Sequence, residues 1–238
     1  MKNKLIKLGC KLMYLKVKRL IDIFLSLIGL IVLSPIFLFL IIAIKLDSKG
    51  PVLFKQKRVG INKTHFNILK FRTMRIDTPK DTPTHLLENP EQYITKMGNF
   101  LRKTSLDELP QIINIFKGEM SIIGPRPALW NQYNLIEERD KYGANDVPVG
   151  LTGWAQINGR DELEIDVKAK LDGEYAENIG LLMDIRCFFG TIFSVLRSDG
   201  VVEGGTGVKT KTTSATSNST LTSNGVKSTS KAEETVAK

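Results

Sequence analysis

Apolar positions are crowded most densely between residues 20 and 46, "LIDIFLSLIGLIVLSPIFLFLIIAIKL". Length and composition suit a membrane segment, since roughly 20 apolar residues cross the hydrocarbon layer. A cleaved signal peptide fits poorly, because the apolar stretch is too long and no small-residue cleavage pattern follows. Ser34-Pro35 interrupts the run at its middle. Proline there deletes a backbone hydrogen bond and clashes with the preceding turn, at a cost of about 3 kcal/mol, so the segment must kink or break. The two halves, roughly 13 and 10 residues, reach only some 20 and 15 Å at helical rise. Both flanks are basic, with "KLMYLKVKR" leading in and Lys45, Lys49, Lys55, Lys57 and Arg58 leading out. Positive flanks favour the cytoplasmic side, so a pair of them opposes spanning. The pattern predicts a helix-break-helix hairpin that dips into one leaflet and returns, with the Ser34 hydroxyl serving a backbone group freed by Pro35. A kinked spanning helix is the alternative that physics alone leaves open.

Beyond residue 46 the pattern changes. "GPVLFKQKRVG" and "HFNILKFRTM" carry short apolar and β-branched runs bounded by turn residues, which predicts one or two short strands. "RIDTPKDTPTHLLENPEQ" holds three prolines among polar residues and reads as a loop. Leu109, Ile112, Ile113 and Phe116 form one helical face, which Gly118 is placed to end. Further helices are expected at 128–141, at 161–177 and along "NIGLLMDIRCFFGTIFSVLRS"; the last is apolar around most of its circumference and reads as a core helix or one lying on lipid, core being the commoner outcome. From Gly204 the chain turns to Gly, Ser, Thr and Lys, a composition that does not fold. The expected organisation is a basic arm (1–19), a membrane hairpin (20–46), a catalytic domain (47–203) and a disordered tail (204–238), in a mainly helical α+β fold with a short β-hairpin and interfacial helices.

Charge refines the picture. The formal net charge is +9 over 238 residues. Residues 1–19 hold seven Lys or Arg and no acid, and the tail from Gly204 holds five Lys against two Glu, which leaves −1 for residues 20–203. A nucleic-acid binder concentrates positive charge on its folded domain; a basic arm beside an apolar run suits an anionic bilayer instead. The two cysteines, Cys10 and Cys187, fit no metal or redox spacing, and unpaired thiols are expected. His65 and His85, the only histidines, belong to no zinc or triad pattern.

The candidate chemistry lies in "LRKTSLDELPQIINIFKGEM", residues 101–120. Asp107 and Glu108 can be read as helix-cap acids, because Ser105 and Glu108 have capping-box spacing and acids complement the helix dipole. Pro110 sets the helix start close to Asp107, and such an end also attracts phosphate. Cap and site are therefore compatible readings. Lys70 and Arg72 in "LKFRTM", Arg102 in "LRKTS", Arg126 in "IGPRP" and Arg160 in "INGRD" lie in short apolar or Gly/Pro-bounded contexts. Any one of them reads as an ordinary surface or ion-pair residue; together they describe a phosphate pocket, with Arg126 stiffened by flanking prolines for bidentate binding. A non-enzymatic membrane adaptor would need the hairpin and arm but not this set.

With those residues in place, "KRLIDIFLSLIGLIVLSPIF", "GPVLFKQKRVG", "FNILKFRTM", "LRKTSLDELPQIINIFKGEMSIIGPRP" and "GLTGWAQINGR" resemble the bacterial sugar transferases, the monotopic polyprenol-phosphate phosphoglycosyl transferases in their short, single-domain form. The resemblance runs over about residues 16–200. It implies a re-entrant hairpin broken at Ser34-Pro35 and a site on the cytoplasmic face of the bacterial inner membrane. It implies that Asp107 attacks the β-phosphorus of a UDP-sugar, releasing UMP, and that polyprenol phosphate then takes the phosphosugar. Glu108 would assist through metal or proton handling, with magnesium as the ion held by Asp107 and Glu108. Lys70, Arg102, Arg126 and Arg160 match positions associated with phosphates and nucleotide. The sugar is not specified, and homodimerisation stays open.

Overall fold

The computed structural model describes residues 2–78, 89–159 and 163–196. The resemblance motif residue Arg160, His85, most of the proline-rich loop and the tail from 204 lie outside them. Among the described residues the α-helices and strands run in the order α1 (Lys2–Val32), α2 (Ser34–Asp47), β1 (Leu53–Val59), β2 (His65–Phe71), α3 (Lys96–Lys103), α4 (Gln111–Lys117), β3 (Ser121–Ile123), α5 (Tyr133–Asp140), β4 (Gly150–Thr152), α6 (Trp154–Ile157), α7 (Ile165–Glu177) and α8 (Leu181–Leu196). The architecture is mainly helical α+β with two small sheets.

α1 runs through the boundary between arm and apolar segment as one helix. It breaks at Leu33, and Pro35 falls in the first turn of α2, where a missing N–H costs little. The carbonyl that a residue at 35 would have engaged belongs to Ile31, and the Ser34 hydroxyl donates to it at 2.7 Å. Among the described residues no single helix is long and apolar enough to cross a membrane; Gly9–Val32 and Ser34–Asp47 pass that test only together, bent by 61°. The break predicted at Ser34-Pro35 is thus present, but as an open bend and not as two helices folded back side by side.

Half of α1 is docked on protein. Lys18, Asp22 and Ser26, spaced by four residues, form a buried polar stripe. Lys18 pairs with Asp184 of α8, while Asp22 accepts hydrogen bonds from the Ser121 hydroxyl (2.7 Å) and the Ile122 N–H (3.1 Å) of β3. Arg19 donates to the carbonyls of Ile115 and Phe116, closing the C-terminal end of α4. α4 and α1 run in opposite senses, because Gly29 lies 3.7 Å from Ile112 near the other end of α4, measured from a Cβ built at the glycine. The opposite face of the helix pair exposes Leu20, Phe24, Ile31, Leu38, Phe39 and Leu46.

β1 and β2 form the antiparallel hairpin expected from the short apolar and β-branched runs, with Leu53 opposite Phe71 and Val59 opposite His65. β3 and β4 form a second, parallel pair, Ser121 opposite Gly150 and Ile123 opposite Thr152, which was not expected. Strands of three residues are too short to show a period in sequence. Gly150 makes the pairing possible: a Cβ there would lie 2.1 Å from the Gly124 nitrogen. The helix expected at 128–141 begins only at Tyr133, because residues 128–129 pair with the end of β1 through Val59 N–H to Ala128 O (2.9 Å) and an Arg58–Leu129 bridge. α8 is not the all-round core helix favoured above. Met183 and Cys187 are buried, while Leu182, Phe188, Phe189 and Phe193 stay exposed. Both cysteines are free.

Candidate active site

Asp107 and Glu108 sit in a 3-10 turn, Leu106–Glu108, that leads through Pro110 into α4. The turn is pinned from both sides. Leu106 and Leu109 pack on a buried cluster of Leu40 and Ile44 from α2, Phe71 from β2 and Leu101 from α3. The turn that carries the carboxylates between these two leucines is thereby held on α2. Ser105 takes a left-handed backbone, φ 56°, and makes no side-chain cap bond. The capping box suggested by the Ser105–Glu108 spacing is therefore not formed, since the left-handed turn carries Glu108 off toward the strand hairpin and leaves its carboxylate for other partners.

Those partners are cations. Lys70 Nζ donates to Glu108 Oε1 at 2.8 Å and lies 3.5 Å from Asp107 Oδ2. Arg126 Nη2 donates to Glu108 Oε1 at 2.6 Å, with Nη1 3.4 Å from Oε2. Asp107 is 6% exposed. Burial alone would raise the Glu108 pKa; the charges of Arg126 and Lys70, and their hydrogen bonds, outweigh it and hold the carboxyl well below the usual carboxylate range. Two acids and two bases make a locally neutral cluster. An anionic phosphate entering it can draw Lys70 and Arg126 toward itself, because both are also matched to phosphate oxygens.

Lys70 reaches this point because β2 is fastened to α4 by one amide. The Asn114 side chain, fully buried, accepts from the Leu69 N–H (2.9 Å) and donates to the Asn67 carbonyl (2.8 Å) and Glu119 Oε2 (2.6 Å). It satisfies the edge of β2 that β1 does not cover, as a neighbouring strand would.

The structure separates the remaining cations of the expected pocket. Arg72, two residues beyond Lys70, is buried at the C-terminal end of α2, where Nη2 donates to the Ser48 carbonyl (2.6 Å), the Ser48 hydroxyl (2.9 Å) and the Ile44 carbonyl (3.3 Å). The shift arises because the strand ends at Phe71. Burial lowers the Arg72 pKa, with Asp47 opposing. Arg102 Nε donates to the Thr73 hydroxyl at 2.9 Å. Lys70 and Arg126 are thus brought to the carboxylates, Arg72 is placed at the helix end, and Arg160 lies outside the described residues.

A buried carboxylate beside an ion-paired neighbour, with two cations close by, is an arrangement that can receive an anionic phosphorylated ligand. The sequence model of one family, bacterial sugar transferase, matches residues 13–198.

The chain belongs to the bacterial sugar transferase family.

It is 39% identical over 184 residues to the uncharacterised sugar transferase EpsL of Bacillus subtilis, covering 77% of this chain and 89% of that one. It is 41% identical over 184 residues to the UDP-glucose:undecaprenyl-phosphate glucose-1-phosphate transferase of Escherichia coli, covering 74% of this chain and 39% of that protein. An uncharacterised sugar transferase of Haemophilus influenzae is 37% identical over 214 residues, 84% of this chain and 44% of its own length. The chain therefore spans less than half of the latter two.

In this family setting two further groups come forward that sequence reasoning passed over. Asn114 is not singled out by the sequence, and only contact with β2 reveals its use. Arg139 and Asp172, 33 residues apart, form a buried ion pair with Nε and Nη2 at 2.9 and 2.6 Å from Asp172 Oδ2; nothing in their local sequence announces it. For magnesium, no group of three or more potential ligands occurs among the described residues. Asp107 and Glu108 do fit an ion that arrives with a diphosphate, since magnesium commonly takes one or two carboxylates and completes its shell with phosphate oxygens and water.

Proposed function

We propose that this sugar transferase moves a sugar phosphate from a UDP-sugar to polyprenol phosphate at the cytoplasmic face of the bacterial inner membrane, opening the assembly of a surface glycan. The observation that carries the reading is the position of the carboxylate turn. Leu106 and Leu109, on either side of the two acids, fasten the turn to α2, while Lys70 and Arg126 converge on Glu108. A soluble donor and a lipid-bound acceptor can meet only at such a height.

In the first step an Asp107 carboxylate oxygen forms a bond to the β-phosphorus of the donor. The bond from that phosphorus to the bridging oxygen breaks, and UMP departs with the electron pair. In the second step a phosphate oxygen of polyprenol phosphate attacks the same phosphorus, and the Asp107 carboxylate leaves. Lys70 and Arg126 offset the phosphoryl charge in both steps, where positioned cations act most strongly. Glu108, held ionised, orients these two cations and does not serve as a proton donor near neutrality. Bound magnesium would supply further charge neutralisation at Asp107 and Glu108. Arg102 and Arg160 are kept among the residues for the phosphates and nucleotide, as the resemblance implies, and Arg72 is assigned to the anchoring of α2.

The bent helix pair dips into one leaflet, and the exposed face of α8 rests on the same surface. The name of the E. coli relative supports the reaction class and the polyprenol acceptor. Incubation with a panel of UDP-sugars, magnesium and polyprenol phosphate should release UMP with at least one donor and yield a lipid-linked product. No release from any donor in intact membranes would contradict the reading. Cysteines placed in each basic flank should both resist an impermeant reagent added to intact cells; labelling of one flank from outside would establish a spanning helix instead.

A further inference from the structure

The Gly-Pro-Arg-Pro loop that carries Arg126 poses a problem of support. Pro125 and Pro127 have no N–H to donate. The loop must be held through its carbonyls, and each from 125 to 128 has a donor. Backbone groups supply the outer two: Gly150 N–H to Pro125 O (2.9 Å) and Val59 N–H to Ala128 O (2.9 Å). Arginines supply the inner two. Arg139 Nη2 donates to Arg126 O at 3.0 Å, and Arg58 Nη1 donates to Pro127 O at 3.0 Å.

Arg139 is 2% exposed and Asp172 is fully buried. A buried ion pair of this kind contributes little net stability compared with an apolar replacement, so its presence calls for another use. With Oδ2 of Asp172 taking both Nε and Nη2, the guanidinium plane is fixed, and the remaining reach of Nη2 falls on the Arg126 carbonyl. Arg58 is steered similarly, since its Nη2 donates to Gln56 Oε1 at 2.8 Å on the same strand. Two guanidiniums from different elements, α5 and β1, thus grip consecutive carbonyls of the segment whose side chain engages Glu108.

We propose that Arg139, oriented by Asp172, and Arg58 are positioning residues that clamp the consecutive carbonyls of Arg126 and Pro127 and thereby aim the Arg126 guanidinium at the carboxylate turn. A lysine at 139 can still neutralise Asp172, but its single ammonium cannot keep the planar grip on both the carboxylate and the carbonyl. The inference rests on the proposed transferase reaction for its kinetic arm only.

The test uses the full chain in detergent micelles and two readouts. Amide hydrogen exchange follows the peptide spanning residues 124–130. In Arg139→Lys the Leu129 amide, which donates to Gln132 Oε1 at 2.8 Å at the end of the loop, should exchange at least tenfold faster than in the parent, while peptides of β1 and β2 away from the loop keep their protection. The second readout is UMP release in a double-mutant cycle with Arg126→Ala. Arg139→Lys alone should slow turnover at saturating donor tenfold or more, and should slow it no further once Arg126 has been removed, because the clamp acts through that side chain. Arg58→Met, at a half-buried position, carries the same two measurements should the 139 variant not fold. Unchanged exchange of the loop in a folded variant overturns the clamp. Equal, additive losses with and without Arg126 overturn the positioning role and leave a purely structural one. Absence of turnover in the parent protein counts against the proposed reaction, and the exchange readout then still decides the clamp.

Discussion

Replacing Asn114 with alanine asks whether one amide holds the active-site lysine in register. The substitution removes the acceptor for Leu69 N–H and the donors to Asn67 O and Glu119 Oε2. A net hydrogen bond contributes about 1 kcal/mol, and a buried backbone group left without a partner costs about 1–3 kcal/mol. Asn114 has no solvent exposure, so water cannot take over without opening the interface between β2 and α4. The expected loss is about 3–4 kcal/mol, which for a domain of this size lowers the thermal midpoint by roughly 6–16 °C. Near-ultraviolet circular dichroism of the purified full chain in micelles, reported by Trp130 and Trp154, follows the transition. Sugar-phosphate transfer measured well below both midpoints should also drop about tenfold or more, because Lys70 directly follows Leu69 on the loosened strand. A shift under about 2 °C together with unchanged transfer would show that β2 is held by other means.

Glu108→Gln removes the group on which Lys70 and Arg126 converge, and transfer should fall by two orders of magnitude or more when measured as UMP release. Its pH dependence has a definite sign. A carboxyl whose folded pKa is depressed stabilises fully above its unfolded value, about 4.3, and this contribution fades as pH falls toward the folded value. The midpoint difference between parent and Glu108→Gln should therefore be constant from about pH 5 to 8 and shrink below about pH 4; a difference that already vanishes at pH 6 would refute the ion cluster. Gly50 has φ +124°, and a Cβ there would lie 2.4 Å from Arg72 Nη1. Gly50→Ala should expel the guanidinium from the end of α2 and lower the thermal midpoint by several degrees, whereas Gly50→Ala with a parent-like midpoint would deny Arg72 that anchoring part.

Much of this arrangement was legible because it depends on local chemistry. Pro35 had to break the apolar run, and Ser34 had the one nearby hydroxyl able to reach the stranded Ile31 carbonyl. Gly118 ends α4 in a left-handed conformation, as its place in the sequence suggested. The hairpin strands showed as short apolar and β-branched runs bounded by turn residues, although their register was not read from the sequence. What stayed hidden depends on distant partners. The β3–β4 pair needs the close approach of Gly124 and Gly150, which no periodicity signals. The capping box looked complete on spacing, yet Ser105 adopts a left-handed turn and Glu108 is claimed by cations 38 and 18 residues away. Lys70 and Arg72 shared a motif and seemed to share a role. The end of the strand between them sends one to the carboxylates and the other to α2.

Intact-protein and peptide mass spectrometry after incubation with an accepted UDP-sugar, with the lipid acceptor withheld, examines the covalent step itself. A sugar phosphate should appear on the peptide containing Asp107, should be lost on adding polyprenol phosphate, and should be missing from Asp107→Asn. Parent-like turnover by Asp107→Asn, or an adduct on any other side chain, would contradict the proposed chemistry.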